Sequence, residues 1–214
     1  MQLFERVRRK LFASVWNKNR VHFCEQMQSH LINKDFTIFS VNCIGGVVTH
    51  SLGLPFRSPT VNLYMSFGDF VKFCNNPQRY VNAPFVEYPG TGNEHYPLAL
   101  LDDVLLHLVH YDSFENARAA WIRRTERINW DNIFLVATDR DGCTPELIKL
   151  FDKLPYRKVL FTHLPDENPC HFYIKGFEHQ DFVGNLTQHS DYISGKLLLD
   201  QFDWIQFLND GIVR

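Results

Sequence analysis

The chain has 214 residues, 45% of them apolar and 21% charged, the make-up of a globular protein that can bury its own core. With 22 basic against 24 acidic residues the net charge is −2, so no whole-molecule field draws it to nucleic acid. Its five cysteines are scattered with no C-x-x-C pair, which argues against a disulfide scaffold and for free thiols in a reducing cytoplasm, and no apolar run is long enough to span a bilayer.

The first predicted element is a helix. In "LFERVRRKLFASVWNKNR", Leu3, Phe4, Val7, Leu11, Val15 and Trp16 fall near one helical stripe, with Arg6, Arg9, Lys10 and Lys18 around the other side. This basic amphipathic helix, residues 1–22, precedes a domain spanning 23–214. It either docks on that domain with a solvated basic face or lies on an anionic membrane surface. "DFTIFSV" follows as a strand ending near Val41. "SPTVNLYMS" reads as a second strand, with Pro59 confined to its start or to an unpaired side. "SFGDFVKFCNNPQRYV" has helical spacing and halts at Asn75-Asn76-Pro77. The Gly and Pro density of "EYPGTGNEHYP" marks a loop long enough to be functional.

Beyond it strands and helices alternate. "DDVLLHLVHY" is a strand, and "DSFENARAAWIRRTERI" a helix capped by Asp112 or Ser113. "NIFLVAT" is a strand, and "TPELIKLFDKL" a helix with Thr144 as N-cap and Pro145 in its first turn. "RKVLFTH" and "CHFYIKGF" are further strands, and "SGKLLLDQFDWIQFLND" is a closing helix. This alternation predicts right-handed crossovers and a single α/β domain, three-layered and Rossmann-like, around a mainly parallel sheet.

In open parallel sheets, ligands bind beyond the carboxyl ends of the strands. The first strand delivers Asn42, Cys43, Gly45 and Gly46 to that edge. "VLLHLV" delivers His110, "NIFLVAT" delivers Asp139, Arg140 and Asp141, and "VLFT" delivers His163. Cys43, at a strand-to-turn corner near helix N-terminal amides, is expected to lean toward thiolate and act as a nucleophile; a thiol packed under the turn is the plainer alternative. Gly45 and Gly46 would let backbone amides approach an oxyanion or phosphate. Asp139 and Asp141 could orient a histidine, hold a divalent metal or bind sugar hydroxyls, or simply form a charged turn. Arg140 suits a phosphate or carboxylate. His110 is the general-base candidate, whereas His107, on the other strand face, reads as a core histidine. His50 is two helical turns past Cys43 if a helix follows the glycines. Ser58 and Asn62 either bond a polar substrate or close their own turn.

"NCIGG" with His50, "LGLPFRSPTVNLYM", "VHYDSFENARAAWIRRTERINWDN" and "DRDGCT" together resemble a bacterial family of unassigned biochemical function associated with exopolysaccharide and capsule biosynthesis, over about residues 35–165. The resemblance implies an α/β fold and a role in making or decorating surface polysaccharide. It carries over no catalytic residue. One reading is a transferase that acylates a surface glycan. There Cys43 attacks a donor such as acetyl-CoA, His110 or His163 is the base, and Asp139 or Asp141 orients that base. A second is a glycosyl- or phosphoryl-transferase using an activated sugar, with Asp139 or Asp141 serving a divalent metal. A third is a non-catalytic glycan-binding or assembly component. The expected partners are a glycan or activated sugar and no nucleic acid. The expected location is cytoplasmic, with peripheral contact at the inner face of the membrane through the N-terminal helix.

Overall fold

The computed structural model describes residues 2–92 and 94–213, residues 2–10 through their backbone only. In chain order the first half comprises α1 (Gln2–His30), β1 (Thr37–Ser40), α2 (Ile44–Ser51), α3 (Phe67–Asn75), α4 (Pro77–Asn82), β2 (Phe85–Tyr88), β3 (Leu98–Leu101) and β4 (Val104–His107). The second half comprises α5 (Phe114–Thr125), β5 (Ile133–Thr138), α6 (Pro145–Asp152), β6 (Arg157–Thr162), β7 (His171–Tyr173) and α7 (Trp204–Asp210).

The centre is a four-stranded sheet in the order β1-β5-β6-β7, with every neighbouring pair parallel. Alternate side chains enter opposite cores. Phe39, Leu135, Ala137 and Leu160 pack with Phe67, Phe70, Phe73, Trp121 and Phe151 on one side. Ile38, Phe134, Val136, Val159 and Phe161 pack with Trp16, Met27, Ile44, Val48 and Phe207 on the other. Helices α1, α2 and α7 thus cover one face, and α3, α5 and α6 the other, giving the three layers that the alternation predicts. All six residues of β5 are buried because both of its faces are covered, which is why it reads as an unbroken apolar run. Each fully buried Phe contributes about 1.5–3 kcal/mol against exposure.

Two expectations are corrected. "VLLHLV" does not join the parallel sheet: β2, β3 and β4 form a separate antiparallel sheet, and β3 turns into β4 at Asp102-Asp103. Along β4, buried Val104 and Leu106 alternate with half-buried Leu105 and His107, the pattern of a strand covered on one face. "SPTVNLYMS" forms no strand either. Only Tyr64 bridges to β4, exchanging backbone hydrogen bonds with His107 at 3.0 and 2.9 Å.

The expected caps form at the helix starts. Ser113 Oγ accepts from Asn116 N and Thr144 Oγ1 from Leu147 N, leaving fewer amides unsatisfied in the first turn. After the break at Asn76, Pro77 opens the short helix α4. The closing helix is shorter than the sequence indicates, a 3-10 turn at Leu198–Gln201 followed by α7, whose N-cap is Asp203.

Helix α1 continues past residue 22 to His30, and it and the residues just after it are clamped by the segment from His189 to Asn209. Arg20 pairs with buried Asp200 at 2.5 Å, Asn19 Nδ2 donates to Ile193 O, and Asn209 Oδ1 accepts from the backbones of Ile32 and Asn33. Gly195, at φ +76°, crosses so closely that a Cβ there would stand 2.2 Å from Arg20 N. Only glycine fits that crossing.

Candidate functional site

β1 ends at Ser40, and the chain turns within three residues into α2, so Cys43 becomes the residue before the helix's first turn. Asn42 braces this corner: its Oδ1 accepts from Ile44 N, and its Nδ2 donates to Thr138 Oγ1 at the end of β5. From the other side, the segment after β4 brings His110 over the thiol, with Nε2 3.0 Å from Cys43 Sγ.

The expected shift of the thiol toward thiolate is corrected. Burial raises the Cys43 pKa above its ordinary value, and hydrogen bonding to backbone opposes this only in part. Cys43 Sγ and His110 Nε2 are within hydrogen-bonding reach, so base assistance rather than standing ionisation is the chemistry this pair offers.

The pair lines a cavity of about 430 Å³ together with Asn42, Tyr64, Arg140, Asp141 and the 184–187 loop. It also lines a second cavity, of about 550 Å³, to which Gly46, His50 and Asn62 contribute. Among the described residues, three non-glycine positions have positive φ: Asn62, Asp102 and Asp141. Two of these line the two cavities, as is common where backbone strain is held at a working site.

Arg140 reaches the first cavity beside Asp141, their Nε and Oδ2 atoms 3.3 Å apart, and its guanidinium lies 5.8 Å from the Phe182 ring. Tyr64 stacks on His107 with centroids 4.2 Å apart, and its hydroxyl is 3.2 Å from that of Tyr96. Burial, the hydrogen bond to Tyr96 and the negative charges of Asp141 and Glu94 push the Tyr64 phenol up, so it stays protonated on the cavity wall with its hydroxyl paired to that of Tyr96.

Asp139 does other work. Its Oδ2 accepts from the backbone N and the Nδ1 of His163, at 2.8 and 2.6 Å, and its Oδ1 accepts from Val183 N at 2.7 Å. Both oxygens are engaged: Oδ1 holds the 183–187 loop at Val183, and Oδ2 orients His163, as one of the expected pairings had it, so Asp139 does not orient His110. His163 lines neither cavity. Among the described residues, no group of three or more His, Cys, Asp or Glu is placed to hold a metal ion.

The glycines are explained by packing. Gly45 N donates to Ser40 Oγ, so that amide is not free for an oxyanion. A Cβ on Gly45 would stand 2.8 Å from Ser40 Cβ, and one on Gly46 would stand 3.0 Å from Val61 Cγ1. Ser58 is buried and bonds Thr60 within its own turn, outside both cavities. The structure therefore gathers Asn42, Cys43, His110, Arg140 and Asp141 around one cavity, and His50 and Asn62 at the next. Tyr64, Asn185 and Thr187 join the first cavity, although the sequence singles out none of them as a site residue.

A protein of Haemophilus influenzae described as "Uncharacterized protein" is 39% identical to this chain over 204 residues, which cover 94% of this chain and 97% of that relative. The family described as "Domain of unknown function (DUF1919)" matches residues 15–209, a span that includes every residue of the two cavities, and the chain belongs to it.

Proposed function

We propose that this protein is a transferase of bacterial exopolysaccharide or capsule biosynthesis that passes an acyl group through Cys43 to a surface glycan. The observation that carries this reading is the 3.0 Å contact between Cys43 Sγ and His110 Nε2 on the wall of a cavity. His110 takes the thiol proton as sulfur attacks the acyl carbonyl, then gives it to the departing group of the donor. A glycan hydroxyl next attacks the thioester, its proton passes to His110 and on to the released sulfur, and the thiol is restored. Arg140 is the donor available to the oxyanion, in place of the Gly45 amide. The side chains of Asn42, Asp141, Asn185 and Thr187 give the same cavity the mixed donors and acceptors that a sugar requires. The metal-assisted sugar-transfer reading draws less support, because Asp139 is engaged elsewhere and, among the described residues, Asp141 has no cluster of His, Cys, Asp or Glu around it to share a metal.

The test uses p-nitrophenyl acetate as a small activated acyl ester. The native protein releases a burst of nitrophenolate and retains one acetyl group on Cys43, located by peptide mass spectrometry. Cys43→Ala abolishes the burst, and His110→Ala slows it by about 10²-fold or more. Equal acetylation of the Cys43→Ala protein would refute the reading.

We further propose peripheral contact with an anionic membrane through α1. Residues 1–20 contain Arg6, Arg8, Arg9, Lys10, Lys18 and Arg20 against a single acidic residue, Glu5. Leu11 and Val15 are 71% and 45% exposed. A basic helix with uncovered apolar side chains suits an anionic interface. Among the described residues, no helix is long and apolar enough to cross a membrane.

A further inference from the structure

Residues 184–187 wall one side of the first cavity, and the segment 183–189 that carries them is fastened at both ends. At the near end Val183 N donates to Asp139 Oδ1 at 2.7 Å, and Asp139 is held in turn by the backbone and ring of His163. At the far end His189 bridges to Leu197 and lays its ring flat on Trp16 of α1, with centroids 3.6 Å apart and 6° between the planes. Between the two, Leu186 is buried in the same apolar cluster as Trp16, and its carbonyl accepts from Leu199 N at 3.0 Å. A strap tied in this way holds its side chains in one place, as recognition of a ligand requires.

Asn185 is the side chain that this strap leaves with unused donors. Its Oδ1 accepts from Thr187 N at 2.9 Å and from Thr187 Oγ1 at 2.7 Å. Thr187 N can only donate, so the oxygen end of the amide faces it and the Nδ2 end is turned away. An asparagine that merely closes its own turn is explained by its oxygen alone. Here two N–H donors are left over, and among the described residues no hydrogen bond runs from Nδ2. The other uncharged polar side chains of the cavity are committed: Asn42 to Ile44 N and Thr138 Oγ1, Tyr64 to Tyr96, and the Thr187 hydroxyl to Asn185 itself.

We propose that Asn185 is the specificity-determining residue of the first cavity. Its Nδ2 donates to a hydroxyl or ring oxygen of the bound sugar. Asp139 at one end of the strap, and Trp16 with His189 at the other, are positioning residues that aim it. This rests on the reading above that seats a glycan in this cavity, and it adds which donor recognises the glycan and what holds that donor. Asp139 thereby serves the site from outside the cavity, and α1 belongs to the framework of the site through Trp16. The bond to the sugar is made before any acyl group moves, so its loss weakens acceptor binding and leaves the chemistry at Cys43 unchanged.

The test loads Cys43 with acetyl from p-nitrophenyl acetate and follows discharge of the acetyl-enzyme as methyl glucoside is titrated. Asn185→Asp keeps an oxygen for Thr187 and removes the donor. It is expected to raise the half-saturating concentration of methyl glucoside about fivefold or more, with the nitrophenolate burst and the maximal discharge rate unchanged. His189→Ala, at an exposed position, strips the ring from Trp16 and is expected to raise the same concentration, and His189→Phe, which keeps a ring for the stack, to restore it. A merely structural role would lower the melting temperature without that split. Native half-saturation in either Asn185→Asp or His189→Ala overturns the inference, as does a His189→Phe protein no better than His189→Ala, with acylation of Cys43 still standing. An acetyl-enzyme that forms but ignores methyl glucoside overturns it as well. If native Cys43 takes no acetyl group, the acyl-transfer reading falls, and the inference with it.

Discussion

Cys43 stands between two opposed influences. Its place before the first turn of α2 favours negative charge, while burial favours the neutral thiol, and burial prevails. Alkylation by iodoacetamide should therefore be slow at neutral pH and keep rising beyond the ordinary thiol value of about 8.5. A rate midpoint below that value, with the modified residue mapped to Cys43, would contradict the balance. The sign for stability follows. A group whose pKa is raised by folding contributes fully below its unfolded value, and that contribution is lost as pH climbs through the folded one. Asp139 makes a different point, because a carboxylate in a D-x-D stretch invites a metal or substrate role. What it does is accept three hydrogen bonds that tie the end of β6 to the 183–187 loop. Asp139→Asn should cost about 1–3 kcal/mol in urea unfolding and speed amide exchange at Val183, since one side of the pair is left without a matching partner. Unchanged exchange at Val183 would show that the loop is held by other contacts. Nothing in the sequence distinguishes the buried clamp Asp139 from its neighbour Asp141, which does line the first cavity; both follow the same strand.

Helix α2 is the element whose sequence was easiest to misread. Gly45 and Gly46 invite a ligand-cradling interpretation, but at Gly45 the helix lies against β1 with no room for a methyl group. In an ordinary helix interior, glycine to alanine gains about 1 kcal/mol. Here Gly45→Ala should destabilise by about 1–3 kcal/mol, because the added carbon meets Ser40 Cβ at 2.8 Å and one element must shift. Chemical denaturation reads this directly, and a stabilised variant would mean that the helix has slack. The caps at Ser113 and Thr144, and the buried strands β1, β5 and β6, were readable because their causes are local: a hydroxyl before an apolar helix, or an unbroken apolar run. The second sheet escapes an alternation-based reading, although "LALLDDVLLH" places two residues between two apolar runs, the spacing of a hairpin. The apolar strength of "VLLHLV" led to the parallel sheet, and only the buried-to-half-buried alternation along β4 shows its single covered face. Tyr64 was hidden for a similar reason, since the backbone bridge that aims it depends on where β4 lies.

Viewed whole, the molecule has a body completed around α1, and an N-terminal stretch of that helix in which Leu11, Phe12 and Val15 are exposed. The family match begins at residue 15, next to Trp16, which is buried and stacks on His189 with centroids 3.6 Å apart. Deleting residues 1–14 should leave the fold in place and abolish sedimentation with phosphatidylserine-containing vesicles, as should high salt. Equal binding to neutral vesicles, or binding that survives the deletion, would remove the membrane role. The strand-end site was anticipated in outline because topology carries strand ends together, but the 184–187 loop reaches it from far along the chain, beyond what any local pattern reports.

The clamp on α1 also sets an order of events during synthesis. Asn19, Arg20, Ile32 and Asn33 find their partners at Ile193, Asp200 and Asn209, so the first helix made is among the last elements to be secured. Until the ribosome releases the C-terminal segment, Trp16 and Met27 lack much of the apolar cluster that covers them. A nascent chain in that state presents an uncovered amphipathic helix to chaperones or to the nearest lipid surface, and contacts this distant in sequence close slowly.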